Sequence, residues 1–155
     1  MNQVRNFINF ARNNIFNGAN RSSTVQIPSH LSEVNKLIQN ILKLLHSLGI
    51  NKSTSFDIRL CLEEAMINAV KHGNKNNRNL LVKIDYSISD EMFKVSIEDS
   101  GSGFDYKHLP DPTVRKNLLK TKGRGIYLMK HLMNKVFFNK DGNRVTMIKY
   151  LKEER

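Results

Sequence analysis

Only one cysteine, Cys61, occurs in the 155 residues of the chain, which excludes an intrachain disulfide framework and any zinc site built from several cysteines. No stretch approaches the roughly 18 consecutive apolar residues that a membrane span needs. The apolar run at residues 7–11 is interrupted by asparagine and is too short for the core of a secretory signal. We therefore expect a cytoplasmic protein that does not contact a membrane. Cys61 itself falls one turn before Glu64 in a helical pattern, and we interpret it as a packed thiol.

Acidic residues are scarce: 14 Asp and Glu stand against 25 Lys and Arg, so the formal net charge is +11. Such an excess suggests an acidic or polyanionic partner. Nucleic-acid binding is only a minor hypothesis, because aromatic residues are not interleaved with the basic cluster and no helix-turn-helix or RNA-binding signature is found. We expect no direct contact with nucleic acid.

The chain is long enough for one domain with a proper core. Residues 1–23 contain three arginines and no acid, and we interpret them as a basic, asparagine-rich extension that precedes a domain at 24–155. The elements predicted in this domain are a strand at 24–27, a helix capped by Ser29 and ended by Gly49, a helix from about residue 55 to Gly73, strands at 82–88 and 93–99, a long loop at 104–122, a helix at 125–134 and a hairpin at 136–150. Their order predicts an α/β (α+β) two-layer sandwich, in which a mixed, mostly antiparallel sheet carries helices on one face.

Three polar side chains, Glu64, Asn68 and His72, stand four residues apart in the second predicted helix. At 3.6 residues per turn they form one row on a helix whose other positions are largely apolar. Burying an unpaired polar group costs roughly 2–7 kcal/mol, so the row faces either water or a polar ligand. The row alone does not decide between these two.

A second polar signal lies at the end of the predicted strand 93–99. The inward-facing apolar stripe of this strand ends in a carboxylate, Asp99, which is followed at once by Gly101 and Gly103. We interpret Asp99 as turned toward the core; the alternative is a strand that ends one residue earlier.

A third signal, Gly123-Arg124-Gly125, opens the third predicted helix. Free backbone N–H groups and the helix dipole favour an anion there, and glycine lets the backbone approach phosphate oxygens. Neither the P-loop pattern nor the glycine pattern of dinucleotide folds is present, so this signal is weak by itself.

Together the three signals describe an ATP site. A buried Asp99 can accept a hydrogen bond from the exocyclic amine of adenine, and Gly101 and Gly103 leave room for the ring. The carbonyl oxygen of Asn68 is a ligand that Mg²⁺ prefers, alongside phosphates and waters. Glu64, one turn earlier, can act as general base on an attacking hydroxyl or water.

These segments resemble the N box and the two glycine boxes of the GHKL, or histidine-kinase-like, ATPases. The boxes are Glu64-Ala65-x-x-Asn68-Ala69-x-x-His72-Gly73, Asp99-x-Gly101-x-Gly103-Phe104 and Gly123-x-Gly125-x-x-Leu128-Met129. Three boxes in order with suitable gaps are far more specific than any one of them. Within the superfamily, the chain is similar above all to the bacterial anti-sigma factor serine/threonine kinases, over roughly residues 24–151.

The resemblance implies a Bergerat-type ATP-binding fold that uses ATP and Mg²⁺. It implies Glu64 as the catalytic base, Asn68 as the Mg²⁺ ligand and residues 105–122 as a lid over the nucleotide. The ATP-binding residues that it implies are Asn68, His72, Asp99, Gly101, Gly103, Phe104, Gly123, Gly125 and Ile126.

Two further points concern basic residues. Lys36, on the first predicted helix, lies where such kinases use a basic residue toward their partner. Anti-sigma kinases often carry Arg-Ser just before the second glycine box, whereas this chain has Thr121-Lys122. Lys122 or Arg124 is then the catalytic cation expected to stabilise the transferred charge.

The resulting prediction is an ATP-dependent serine/threonine protein kinase that phosphorylates a small antagonist protein. The resemblance further implies that it sequesters a sigma factor and forms a homodimer. The alternative is an ATP-binding partner-switching module without kinase turnover. Sensor histidine kinases are not expected, because no dimerisation helix with a phospho-accepting histidine precedes the boxes, and gyrase-like or chaperone-like members need much longer chains.

Overall fold

A computed structural model of the chain describes residues 20–117 and 123–152. In these ranges the elements are β1 Arg21–Pro28, α1 Leu31–Ser47, α2 Lys52–Asn68, β2 Leu81–Ile88, β3 Met92–Glu98, α3 Arg124–Leu132, β4 Lys135–Phe138 and β5 Arg144–Tyr150. A π-helical turn, Ala69–Gly73, continues α2, and a short 3-10 turn, Arg115–Asn117, lies in the loop before α3. The predicted order of strands and helices is confirmed.

The strands form one sheet in the order β1-β2-β3-β5-β4. Ile84 of β2 pairs with Val25 on one side and with Ile97 on the other, and Val95 pairs with Met147 of β5. Paired residues project to the same face, so these apolar side chains form one continuous surface. All four strand pairings in the described residues are antiparallel, so the mostly antiparallel sheet that was predicted contains no parallel pair there.

Three helices cover this apolar face and complete the predicted two-layer sandwich. Buried side chains recur at helical spacing along each of them: Val34, Leu37, Ile38, Ile41 and Leu45 in α1, Ile58, Cys61, Leu62, Ala65 and Met66 in α2, and Ile126 and Met129 in α3. Burying a large aliphatic side chain contributes about 1.5–3 kcal/mol, so this stripe fixes which face of each helix points inward. Because α2 packs against both α1 and α3, its own polar positions are held in a defined orientation.

The start of α1 corrects one prediction. Ser29 does not cap the helix: it is buried, and its hydroxyl donates to the carbonyl of Leu80 at 2.8 Å. His30 caps α1 instead, accepting at Nδ1 from the backbone N–H of Ser32 at 3.3 Å. The hydroxyl of Ser29 is thus committed to a tertiary contact that its local sequence does not reveal.

Two element boundaries also differ from the prediction. β1 begins at Arg21, three residues before the predicted strand, because residues 21–23 continue to pair with β2. α2 begins at Lys52, since Asn51 accepts a hydrogen bond from the backbone N–H of Thr54 and so caps the helix. Among the described residues, no helix is both long enough and apolar enough to cross a membrane.

Candidate functional site

The first part of the site lies where α2 faces the start of α3. Glu64 and Asn68 are partly buried and one helical turn apart. Gly125, the second residue of α3, lies directly against them: a Cβ built on Gly125 would collide with Oε2 of Glu64 and come within 3.6 Å of Nδ2 of Asn68. The predicted N box and second glycine box therefore meet. We call these three residues the Glu64 cluster.

His72 is not part of this cluster. The π-helical turn at Ala69–Gly73 is closed by a hydrogen bond from the backbone N–H of Asn74 to the carbonyl of Ala69, at 2.8 Å. This i→i+5 turn widens the helical backbone over Ala69–Gly73. His72 is exposed, whereas Glu64 and Asn68 are partly buried.

The same π turn brings Gly73 to the aspartate that follows β3. A Cβ on Gly73 would overlap the carboxylate of Asp99, and one on Gly101 would lie 2.5 Å from the carbonyl oxygen of Gly73. The strand itself ends at Glu98, one residue early, yet Asp99 still turns toward the helical layer. We call Gly73, Asp99 and Gly101 the Asp99 cluster.

The electrostatic state of Asp99 is set by its surroundings. Partial burial raises the pKa of its carboxyl above the usual value of 3.8, which the hydrogen bond from the backbone N–H of Gly101 to Oδ1, at 2.8 Å, opposes. The neighbouring charge of Glu98 raises this pKa further. A carboxylate held in this way is poorly solvated and well placed to accept a hydrogen bond from a ligand.

Behind the Asp99 cluster lies a buried polar network that the sequence did not reveal. Asn74 is 1% exposed; its Oδ1 accepts from the backbone N–H of Ser100 at 2.8 Å, and its Nδ2 donates to Oγ of Ser29 at 2.7 Å and to the carbonyl of Leu81 at 3.1 Å. In the sequence Asn74 is one of several polar residues in an apparent loop, and only its burial distinguishes it.

The remaining residues of the first glycine box contact the turn between β4 and β5. Gly103 has a φ of +78°, and a Cβ there would collide with the carbonyl of Asp141, so only glycine fits this close approach. Phe104 is 44% exposed and packs edge-on against Phe138, at 5.7 Å between ring centroids, and against Tyr106, at 6.4 Å. The structure does not bring these two residues into contact with the Glu64 cluster.

The other predicted residues divide between α3 and its approach. Gly123 has a φ of +89° and lies against the carbonyl of Pro110, Ile126 is buried, and Arg124 is exposed. No side chain of the described residues caps the N-terminus of α3 at Gly123. Lys122 and the rest of 118–122, the end of the predicted lid, lie outside the described residues.

Lys36 lies apart from both clusters. It is exposed on α1, where its Nζ donates to Oε1 of Glu33 at 2.7 Å. A surface pair of this kind contributes little to stability.

The two clusters lie at opposite ends of one helical segment. Gly73 lies nine positions after Glu64, which is about 13 Å along a helix axis. Within the described ranges, no three His, Cys, Asp or Glu side chains converge as they would to hold a metal ion. A cation at the Glu64 cluster would therefore share the oxygen of Asn68 with phosphate oxygens and water.

Curated proteins of similar sequence are bacterial kinases. The serine-protein kinase RsbW of Staphylococcus epidermidis is 28% identical over 139 residues, which cover 84% of this chain and 87% of that protein. The serine-protein kinase RsbW of Staphylococcus aureus strain MSSA476 is 27% identical over the same length and shares. The similarity to the anti-sigma factor serine kinases that the three boxes indicated is thereby confirmed.

Solved structures agree with the fold. The crystal structure of the RsbU and RsbW domains of a Mycobacterium tuberculosis protein superposes with a TM-score of 0.58 at 14% identity, covering 84% of this chain and 31% of the longer solved chain. At this identity the likeness concerns the fold alone, which is the predicted ATPase sandwich. The sequence profile of the histidine kinase-like ATPase domain matches residues 27–149, well over half of the chain, and the protein therefore belongs to that family.

Proposed function

We propose that the protein is an ATP-dependent serine/threonine protein kinase that phosphorylates a small antagonist protein. The observation that carries this proposal is the arrangement of the two clusters on one helical segment. At one end, the carboxylate of Asp99 is suited to bind the nucleobase. At the other end, Glu64 and Asn68 lie beside the N-terminus of α3, where an anion is favoured. The name serine-protein kinase, borne by relatives that align with 84% of the chain, supports the same activity.

At the Asp99 cluster, the carboxylate accepts a hydrogen bond from the exocyclic amine of adenine, and the absence of side chains at Gly73 and Gly101 lets their backbone lie close against that carboxylate. At the other end, the first N–H groups of α3 bind phosphate oxygens, and Gly125 lets them approach closely. These contacts fix both ends of the nucleotide, so the γ-phosphate lies beside Glu64.

Phosphoryl transfer then requires a base for the incoming hydroxyl. Glu64 accepts the proton of a serine or threonine hydroxyl of the antagonist, and the oxygen of that hydroxyl forms a bond to the γ-phosphorus. The bond between the γ-phosphorus and the β–γ bridging oxygen breaks at the same time, and ADP is released. Mg²⁺ held through the side-chain oxygen of Asn68 would neutralise charge on the phosphates. Arg124, exposed at the start of α3, and Lys122 are the cations proposed to stabilise the transferred charge.

The proposal extends to the partners that the family resemblance implies. The kinase would phosphorylate an anti-sigma factor antagonist, sequester a sigma factor when the antagonist is phosphorylated, and act as a homodimer. Lys36 would contact a partner from α1. Lys36→Ala should then weaken partner binding in a pull-down by about tenfold while ATP affinity stays unchanged.

The activity can be tested with a matched pair of variants. The protein is incubated with Mg²⁺, ATP labelled at the γ-phosphate, and the antagonist encoded beside it. Label should appear on an antagonist serine or threonine. Glu64→Gln should reduce transfer by about a thousandfold while ATP still binds. Glu63→Gln, at an adjacent residue that is partly exposed and ion-paired to Arg59, should leave the rate within about twofold.

One sequence feature favours a second candidate, an ATP-binding partner-switching module without turnover. Thr121-Lys122 replaces the Arg-Ser that often precedes the second glycine box in the anti-sigma kinases. In that case ATP would be retained with micromolar affinity, no label would reach the antagonist, and Glu64→Gln would change neither binding nor partner exchange. Absence of ATP binding in the wild-type protein would overturn both candidates.

A further inference from the structure

We propose that Asn74 is a positioning residue for the carboxylate of Asp99, and that it thereby sets the preference of the site for adenine over other bases. This inference rests on the proposed binding of ATP. Asn74 does not touch the base; it acts through the backbone that carries Asp99.

The contacts of Asn74 join three segments that are distant in sequence. Its Oδ1 accepts from the backbone N–H of Ser100, and its Nδ2 donates both to Oγ of Ser29 and to the carbonyl of Leu81. The side chain is 1% exposed, so water cannot replace these partners. The amide is satisfied on both its oxygen and its nitrogen, and such a network fixes the separation of the segments that it joins.

One of these contacts acts on the peptide that follows Asp99. The N–H of Ser100 belongs to the peptide group formed by the carbonyl of Asp99, so Asn74 fixes the orientation of that group. On the other side, Asp99 donates its N–H to the carbonyl of Asn143 at 3.0 Å, and Nδ2 of Asn143 donates to the carbonyl of Asp99 at 3.1 Å. The backbone of Asp99 is therefore held from both sides.

The position of Asn74 in the chain adds a second constraint. It directly follows Gly73, whose Cα lies against the carboxylate of Asp99. Asn74 thus ends the π turn that contains Gly73, and its side chain also fixes the backbone that carries Asp99. Loss of the contact to Ser100 would let the carboxylate move relative to Gly73, and the hydrogen bond to the base depends on that distance.

The alternative is that Asn74 contributes only to the stability of the fold. Substitution of Ser29 provides the matched control. Ser29→Ala removes a partner from the same buried network, but at the end that is remote from Asp99. The carbonyl of Leu80 keeps its hydrogen bond from the backbone N–H of Ser29, at 3.1 Å, and Nδ2 of Asn74 keeps the carbonyl of Leu81. Both Ser29→Ala and Asn74→Ala should lower stability, but only the second should change base selectivity.

The experiment measures dissociation constants of ATP and inosine triphosphate by titration calorimetry, below the melting temperature of each variant. Inosine triphosphate carries a carbonyl oxygen where adenine carries the exocyclic amine, so the ratio of the two constants reports the contact with Asp99. The wild type should prefer ATP by about tenfold or more, and Asp99→Asn should reduce that preference. Asn74→Ala should reduce the ratio by about fivefold, and Ser29→Ala should leave it within about twofold.

A ratio in Asn74→Ala equal to that of the wild type would overturn the inference, as would an equal fall in Ser29→Ala. If Asn74→Ala does not fold, Asn74→Ser takes its place, because it keeps a donor at this position but is too short to accept from Ser100. Failure of the proposed function looks different: the wild-type protein would then bind neither nucleotide.

Discussion

The Cα of Gly125 lies against the carboxylate of Glu64, with no room for a methyl group between them. This contact joins α2 to the N-terminus of α3 at the proposed reaction centre. It also makes Gly125 a more sensitive position than its helical location suggests.

Gly125→Ala should separate stability from activity. Alanine is favoured over glycine in a helix by about 1 kcal/mol, so the fold should survive the change. The new methyl group must displace the carboxylate of Glu64, so the rate of phosphate transfer to the antagonist should fall by about tenfold or more. The measurements are thermal melting and transfer of labelled phosphate.

Gly49→Ala is the control. Gly49 ends α1 with a φ of +74°, and a Cβ there would meet nothing within 4 Å. We expect a loss of about 1 kcal/mol in the free energy of unfolding with no change in activity. Unaltered activity in Gly125→Ala would contradict the role assigned to the Glu64 cluster.

The raised pKa of Asp99 predicts a pH dependence of stability. A carboxyl whose pKa is higher in the folded than in the unfolded protein holds more protons when folded, so the free energy of unfolding falls as the pH rises through that interval. Asp99→Asn removes this destabilisation, which is fully present above the folded pKa and absent below the unfolded value. The melting temperature of Asp99→Asn should therefore exceed that of the wild type at pH 7, and the difference should shrink as the pH falls below 4.

Asp90→Asn, in the exposed turn between β2 and β3, controls for the general effect of removing a negative charge. It should change the melting temperature by less than about 2 °C at either pH. A difference between Asp99→Asn and wild type that stays constant from pH 4 to pH 8 would count against the partly buried, destabilised carboxylate.

Lys149 connects the two helices that carry the site. Its Nζ donates to Oδ2 of Asp57 in α2 at 2.9 Å and to the carbonyl of Leu132, the last residue of α3, at 2.6 Å. Both charged side chains are less than a quarter exposed. Lys149→Met should cost about 2 kcal/mol in urea unfolding, because it leaves the carboxylate of Asp57 without its partner.

The double variant Lys149→Met/Asp57→Leu should recover part of that loss, since no unpaired charge then remains. Glu33→Gln, which removes the exposed pair with Lys36, should cost less than about 0.5 kcal/mol. Equal effects of breaking the two pairs would show that Lys149 is no more than a surface contact.

Cys61 is predicted to be unreactive in the native protein. Its side chain is fully buried, and burial, followed by the negative charge of Asp57, raises the pKa of the thiol to about 12. The reactive thiolate is therefore almost absent at pH 8. Ellman's reagent should modify no thiol in the native protein within an hour and one thiol per chain in urea; rapid native labelling would contradict the packed-thiol interpretation.

Sequence patterns were sufficient where one apolar period dominated. The alternation in β2 and β3 predicted which side chains face the helices, and it predicted the inward direction of Asp99 even though the strand ends at Glu98. Helical spacing likewise predicted that Glu64 and Asn68 share a face of α2. Strand alternation and helical spacing both follow from backbone geometry alone.

Sequence patterns failed to predict the positions of side chains that are held by polar contacts between distant segments. Ser29 and Asn74 are 45 residues apart and both read as local loop or cap residues, yet their side chains meet in the interior. The π turn at Ala69–Gly73 was missed for a related reason, since no residue in it signals an i→i+5 bond. That turn ends at Gly73, which lies against Asp99, and His72 within it is exposed.

The π turn also contributes to the length of the proposed nucleotide site. Glu64, Asn68 and Gly73 lie on one uninterrupted run of helical backbone, so the distance between the two ends of the proposed site depends on the helical rise and on the widened last turn. Deleting one residue from that turn would shorten the distance between Glu64 and Gly73 and rotate Gly73 away from Asp99.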